Sequence, residues 1–184
     1  VSYNDVCPEN NQDYKQNLKD AQDLNLIHDS AVTEISQLIA SAPLPLRIDY
    51  KDQVTIPNHS FILSAVPESQ ESFCYVVTET CFWETKKHLT EKIFKPIVSR
   101  MPFILVGCAH NLKYLKSYGF KTFDRWIDES YDQERDHYLR IEKITAEIAK
   151  LCAKSPAELK QMHDEMREVL EYNYNHFYGK FKEI

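Results

Sequence analysis

A threonine, a glutamate and a lysine stand together at Thr90, Glu91 and Lys92, directly ahead of the apolar residues Ile93 and Phe94. This spacing is typical of a helix start, with Thr90 as the N-cap and Glu91 in the first turn. The unpaired N–H groups of a first turn attract an anion, and the ammonium group of Lys92 adds a full positive charge. A diphosphate would suit this chemistry.

Carboxylates near this helix start could recognise a ribose. Glu79, Glu84 or Glu91 could accept hydrogen bonds from two ribose hydroxyls, because each carboxylate oxygen can accept one O–H. Gly107 and His110 follow the next apolar run along the chain. Spacing alone does not show whether these residues bind a ligand. A Thr-Glu-Lys run can be a plain cap with solvated charges, and His110 can be an ordinary loop residue.

Two further pairs of residues can each be interpreted as structural or as part of a binding site. Phe82 and Trp83 either cover apolar residues or form a platform for a ligand, and Asp128-Glu129 is either a solvated turn or a metal site. In both cases we expect the first alternative. The five cysteines show no Cys-x-x-Cys spacing, and no metal ion is predicted.

The apolar pattern predicts the elements that position these residues. Residues 73–77 and 103–106 are aromatic and β-branched runs, typical of strands buried on both faces in a parallel sheet. Pro96 should shorten or kink the helix between them, and residues 121–123 suggest a third strand. The alternation predicts an α/β fold, with a three-layer Rossmann-like parallel sheet and helices on both faces.

Helices account for much of the remaining chain. Asn111 is the expected N-cap of a helix over 112–118. Gly119, in a left-handed conformation, should end this helix. Two long C-terminal helices are predicted over 132–152 and 157–181, the second after the capping box that starts at Ser155. Residues 1–71 are predicted to be an N-terminal segment, with a partial helix and an irregular linker that contributes to the sheet.

The composition is that of a folded protein with room for one ordinary domain in 184 residues. The net charge of −6 and the scattered basic residues do not predict a nucleic acid as partner. No apolar stretch approaches the roughly 20 residues that cross a bilayer, so a transmembrane segment is not expected. No leader is visible and a cytoplasmic location is expected, although a chain that starts at Val1 could be trimmed from a longer one.

Three short strings resemble, in their order along the chain, the donor-binding half of a glycosyltransferase and more narrowly the α1,3-fucosyltransferase pattern. They are VTET at 77–80, LTEKIF at 89–94 and PFILVG at 102–107. Three more strings resemble a group of glycosyltransferase-like proteins of phages and bacteria. They are LKYL at 112–115, GFKTF at 119–123 and WIDESYD at 126–132.

The resemblance implies that residues 72–184 form a GT-B-like domain that binds a nucleoside-diphosphate sugar as donor substrate, with no separate cofactor. The implied binding residues are Glu79, Thr90, Glu91, Lys92, Gly107 and His110. Among them, Glu91 and Lys92 would lie near the ribose and diphosphate, and Glu79 would support the donor loop. The catalytic base, the sugar and the acceptor stay open, and the separate acceptor domain of such enzymes would be missing from this chain.

Two other functions compete with this one. A non-catalytic α/β interaction module would dock a partner chain through the apolar stripe of the last helix, which comprises Leu159, Met162, Met166, Val169 and Phe177. A different nucleotide-dependent enzyme could use the same kind of sheet. With three glycines in the chain, neither a dinucleotide-binding Gly-x-Gly-x-x-Gly motif nor a P-loop is present.

Overall fold

The computed structural model describes residues 16, 18–20, 22–23, 28–41, 71–83 and 86–181. The chain divides into two compact units, Val1–Ile56 and Pro57–Ile184. In the first unit helix α1 spans Asp29–Ser41, which confirms that the N-terminal segment contains a helix. The predicted irregular linker up to residue 70 lies outside the described residues.

The second unit is a mixed α/β structure that is mostly helical. Its elements, in chain order, are β1 (Tyr75–Thr78), α2 (Glu91–Val98), β2 (Phe103–Val106), α3 (Asn111–Ser117), a 3₁₀ helix (Glu129–Gln133), α4 (His137–Cys152) and α5 (Pro156–Tyr178). Strands β1 and β2 pair in parallel, with Tyr75 opposite Phe103 and Thr78 opposite Val106. Helix α2 therefore connects the two strands as the predicted βαβ unit. No helix in the described part of the chain is long and apolar enough to span a membrane.

The predicted third strand at residues 121–123 is wrong. The backbone N–H of Lys121 donates to Asn173 Oδ1 at 2.8 Å, and Asn173 Nδ2 donates back to the Lys121 carbonyl at 2.9 Å. In strand β2, the N–H of Leu105 donates to the Tyr131 hydroxyl at 3.4 Å. The sheet seen in residues 71–83 and 86–181 has two strands, and a three-layer Rossmann-like sheet is not shown.

The two strands differ in burial. Phe103, Ile104 and Leu105 of β2 are buried, as predicted for a strand covered on both faces. Strand β1 was also expected to be buried on both faces, but Val77 is 1% exposed whereas its neighbour Val76 is 42% exposed. Only one face of β1 is therefore buried, so the prediction for this strand is wrong.

The core of this unit joins the strands to helices α2 and α5. Ile93 and Ile97 of α2 share one apolar cluster with Met162 and Met166 of α5 and with the residues of β2. Helix α5 begins with the predicted capping box, in which Ser155 Oγ accepts from the Glu158 N–H at 3.3 Å. The apolar stripe of α5 thus packs inside its own chain.

Helix α4 starts five residues later than predicted, at His137 rather than at residue 132. The Asp136 carboxylate caps it, since one oxygen accepts the N–H groups of Tyr138 and Leu139, both at 2.9 Å. The preceding residues form the 3₁₀ helix instead. Ile144 of α4 is buried, whereas Ile141 is 36% exposed.

Candidate functional site

Glu79 directly follows β1 and is bound by the residue that caps α2. Its backbone N–H extends the strand pairing to the Val106 carbonyl at 2.8 Å. Its carboxylate accepts the Thr90 N–H at 3.1 Å and the Thr90 hydroxyl at 2.7 Å. The side chain is held between the strand end and the helix start, and the residue is 7% exposed. Two of the predicted site residues are thus in direct contact.

Thr90 is the N-cap of α2, as predicted. Its backbone is extended, and its hydroxyl oxygen accepts the N–H of Lys92 at 3.3 Å. The same hydroxyl donates to Glu79, so it uses its donor and its acceptor capacity at once. The Glu79 carboxylate therefore already supplies a negative charge beside the positive end of the α2 dipole.

The ammonium group of Lys92 is oriented by two hydroxyls at this helix start. Lys92 Nζ lies 3.3 Å from Thr80 Oγ1 and 3.4 Å from Thr90 Oγ1. Glu91 is its nearest carboxylate partner at 3.7 Å, and the two side chains are 34% and 29% exposed. The charge of Lys92 is thus positioned at the carboxyl edge of the strands and is accessible to solvent.

Gly107 lies against Glu79 at the end of β2. A methyl group at Gly107 would lie 2.8 Å from Asn111 Nδ2 and 3.5 Å from Glu79 Cβ. The Asn111 amide is fixed there because it donates to the His88 carbonyl at 2.9 Å. A glycine is needed here for this close approach. Asn111 was expected to cap α3, but it is the first residue of that helix.

His110 lies in a second group of residues. It takes a left-handed backbone with φ 69°, and its N–H donates to the Asp132 carbonyl. Asp132 also caps α3, since its carboxylate accepts the N–H groups of Leu112 at 2.8 Å and Lys113 at 3.1 Å. His110 lines a cavity of about 580 Å³ whose lining does not include Glu79 or Lys92.

Two carboxylates in the wall of this cavity are substantially buried. Burial raises the pKa of Asp132 and of Glu129 above their ordinary values, against the lowering effect of their hydrogen bonds. Glu129 accepts from the Thr122 hydroxyl at 2.7 Å and from the Phe123 N–H at 2.8 Å. The expected solvated turn at Asp128-Glu129 is therefore wrong for Glu129, which fixes the loop that precedes it.

Arg140 anchors the loop that follows β1, a role that no local sequence pattern indicates. The residue is 1% exposed, and its guanidinium group donates to the carbonyls of Phe82 and Glu134. The guanidinium carbon also lies 4.4 Å from the centre of the Phe82 ring. Within residues 71–83 and 86–181 no carboxylate forms an ion pair with it, and its Nε has no hydrogen-bond partner. Burial lowers the pKa of the Arg140 guanidinium.

The structure thus brings Glu79, Thr90, Lys92 and Gly107 together at the carboxyl ends of the two strands. Glu91 contacts Lys92 but points its charge to the surface, and Glu84 lies outside the described residues. Thr80, Asp132 and Arg140 also make contacts in this region, and no role was predicted for any of them from the sequence. Among the described side chains, no group of three or more His, Cys, Asp or Glu residues is arranged to hold a metal ion.

Comparison of the chain with protein-family models, with curated proteins and with solved structures gives no match in any of the three. The functional argument therefore depends on the geometry of the site and on the motif resemblance.

Proposed function

We propose that this chain is a glycosyltransferase, or the donor-binding half of one, that binds a nucleoside-diphosphate sugar at the carboxyl edge of β1 and β2. The observation that carries the proposal is the placement of Lys92. Its ammonium group is held by Thr80 and Thr90 at the first turn of α2, and its side chain is one-third exposed. An oriented, accessible cation beside a helix N-terminus is suited to a phosphate group.

In this proposal Lys92 acts on the leaving group of the transfer reaction. Cleavage of the bond between the sugar and the diphosphate leaves negative charge on the nucleoside diphosphate. The ammonium group of Lys92 would stabilise this charge, and the stabilisation is greatest as the bond breaks. Glu79 and Thr90 position Lys92 and the helix start without contacting the substrate. The base that activates the acceptor is not assigned.

The competing function, an interaction module that docks a partner through α5, has less support. Met162 and Met166 of the predicted docking stripe are 8% and 0% exposed because they belong to the core of this unit, and Val169 and Phe177 pack against it. A partner chain could not reach these residues without displacing that core. The donor-binding proposal is therefore the one that the described contacts favour.

The proposal predicts that Lys92→Ala weakens the binding of a nucleoside diphosphate. We expect a loss of about 1.5–3 kcal/mol, the range of a charge-assisted hydrogen bond. The measurement is isothermal titration calorimetry with guanosine and uridine diphosphate. Lys95→Ala is the matched control, because it removes the same charge from the last turn of the same helix.

Two results would contradict the proposal. One is equal nucleoside-diphosphate affinity in the Lys92→Ala protein and the unmodified protein. The other is a melting temperature of the unmodified protein that no nucleoside diphosphate raises, because a ligand that binds the folded state stabilises it.

A further inference from the structure

An exposed group of aromatic side chains lies where the loop that supplies Thr80 meets the start of α4. Trp83 is 60% exposed, and Tyr138, at the start of α4, is 52% exposed. The ring of Trp83 meets the rings of Tyr138 and His137 edge-on, with centroid distances of 6.0 Å and 5.2 Å. We call Trp83, His137 and Tyr138 the aromatic platform. Large aromatic rings exposed to this degree are candidates for contact with a ligand.

Contacts of Arg140 and Cys108 join the loop that carries Trp83 to α4 and to the end of β2. Buried Arg140 donates to the Phe82 carbonyl and contacts His137 Nδ1 at 3.1 Å, so it ties the β1 loop to α4. Cys108 Sγ contacts the Cys81 carbonyl at 3.3 Å and ties the same loop to the end of β2. A pre-ordered surface loses little conformational entropy when it binds a ligand.

The contact with Arg140 also fixes the hydrogen-bonding character of His137. A guanidinium group can only donate, so His137 Nδ1 must accept, and the neutral ring carries its proton on Nε2. No described residue accepts a hydrogen bond from that Nε2. The aromatic platform therefore combines ring faces with one N–H donor at the edge, which is the combination that binds a flat heterocycle carrying carbonyl or ring-nitrogen acceptors.

The contact between Lys92 and Thr80 relates the aromatic platform to the proposed phosphate site. Thr80 Oγ1 lies 3.3 Å from Lys92 Nζ, and Trp83 is three residues further along, so its Cα lies at most about 11 Å from that of Thr80. This span is comparable to the distance between the base and the phosphates of a nucleotide. We propose that the aromatic platform stacks the base of the nucleoside diphosphate whose phosphates lie at Lys92, an inference that rests on the proposed function.

The test compares ligands that have a base with one that lacks it. Guanosine diphosphate, uridine diphosphate and inorganic pyrophosphate are titrated calorimetrically into the unmodified protein and into the Trp83→Ala and Trp83→Phe variants. Trp83→Ala should raise the Kd of the tighter-binding nucleotide about 5- to 150-fold, the range for loss of one stacked base, and leave that of pyrophosphate unchanged. Trp83→Phe should retain most of the affinity. Tyr178→Ala, which removes an exposed aromatic ring of α5, is the control and should bind like the unmodified protein.

Failure of the aromatic platform and failure of the proposed function give different results. If Trp83→Ala leaves nucleotide affinity unchanged while Lys92→Ala lowers it, the base lies elsewhere and the proposed function stands. If pyrophosphate binds as tightly as both nucleotides, the stacking contact is likewise excluded. If none of the three ligands binds the unmodified protein, the proposed function fails and the aromatic platform fails with it.

Discussion

Glu79 receives both hydrogen bonds that Thr90 can donate, and it is almost completely buried. An amide at this position offers one accepting oxygen, and its NH₂ group would face a hydrogen-bond donor. We therefore expect Glu79→Gln to lower the free energy of unfolding by about 1–3 kcal/mol, because a buried donor of Thr90 loses its partner. Urea denaturation of the purified protein measures this change.

Glu91→Gln is the matched control for Glu79→Gln, since both carboxylates lie at the start of α2. The Glu91 side chain is 29% exposed and lies 3.7 Å from Lys92 Nζ. A surface ion pair of this kind contributes at most about 1 kcal/mol. Equal destabilisation by the two substitutions would show that the Glu79–Thr90 hydrogen bonds stabilise the protein no more than the surface ion pair of Glu91 does.

Local sequence patterns revealed the contacts of the candidate site only where the contacting residues are close together in the chain. Thr90 caps the helix that begins at the next residue, and that short-range pattern was sufficient to identify it. The carboxylate of Glu79 meets Thr90 across 11 positions, and the side chain of Arg140 meets the Phe82 carbonyl across 58. Such contacts depend on how the elements pack, so Arg140 and Asp132 carried no recognisable signal.

At the scale of elements, α5 organises the segment that was predicted to be the third strand. Asn173 of α5 is 2% exposed and binds both the N–H and the carbonyl of Lys121. Asn173→Ala leaves these two backbone groups without their partner. We expect a loss of about 1–3 kcal/mol in the free energy of unfolding, measured by urea denaturation.

The control for this prediction is Asn175→Ala, which changes an exposed residue of the same helix by the same number of atoms. It measures the effect of placing alanine in α5 by itself, which should be neutral or slightly stabilising because alanine has a higher helix propensity than asparagine. A destabilisation by Asn173→Ala no larger than that of Asn175→Ala would mean that α5 does not hold this segment.

The sequence predicted strand β2 correctly but predicted a further strand that does not form. The apolar run of β2 is buried on both faces and was correctly placed, because a run of four apolar residues needs cover on each side. Residues 121–123 were predicted to be a further strand, but their backbone partners are side chains of α5 and of the 3₁₀ helix. Tyr131 occupies a backbone N–H of β2 that a further strand would need. Competition of this kind is not encoded in local periodicity.

At the scale of the whole second unit, the sheet and the helices share one apolar core. Met166 of α5 is completely buried, and it belongs to the same cluster as Ile93 of α2 and Leu105 of β2. Helix α2, which begins at the candidate site, therefore packs in the same core as α5. Disturbance of the core at Met166 should reach the strands as well as the helix.

We expect Met166→Ala to lower the free energy of unfolding by about 2–5 kcal/mol, because it removes buried atoms and leaves a cavity. Met166→Leu nearly conserves volume and should cost less than about 1.5 kcal/mol, so it separates the effect of the cavity from the loss of methionine itself.

Thermal unfolding of the Met166 variants is followed by far-ultraviolet and near-ultraviolet circular dichroism. One core predicts that the near-ultraviolet signal of the aromatic residues and the far-ultraviolet signal of the helices shift together in a single transition. A variant whose helical signal melts early while its aromatic signal keeps the original midpoint would show that α5 and the strands unfold separately.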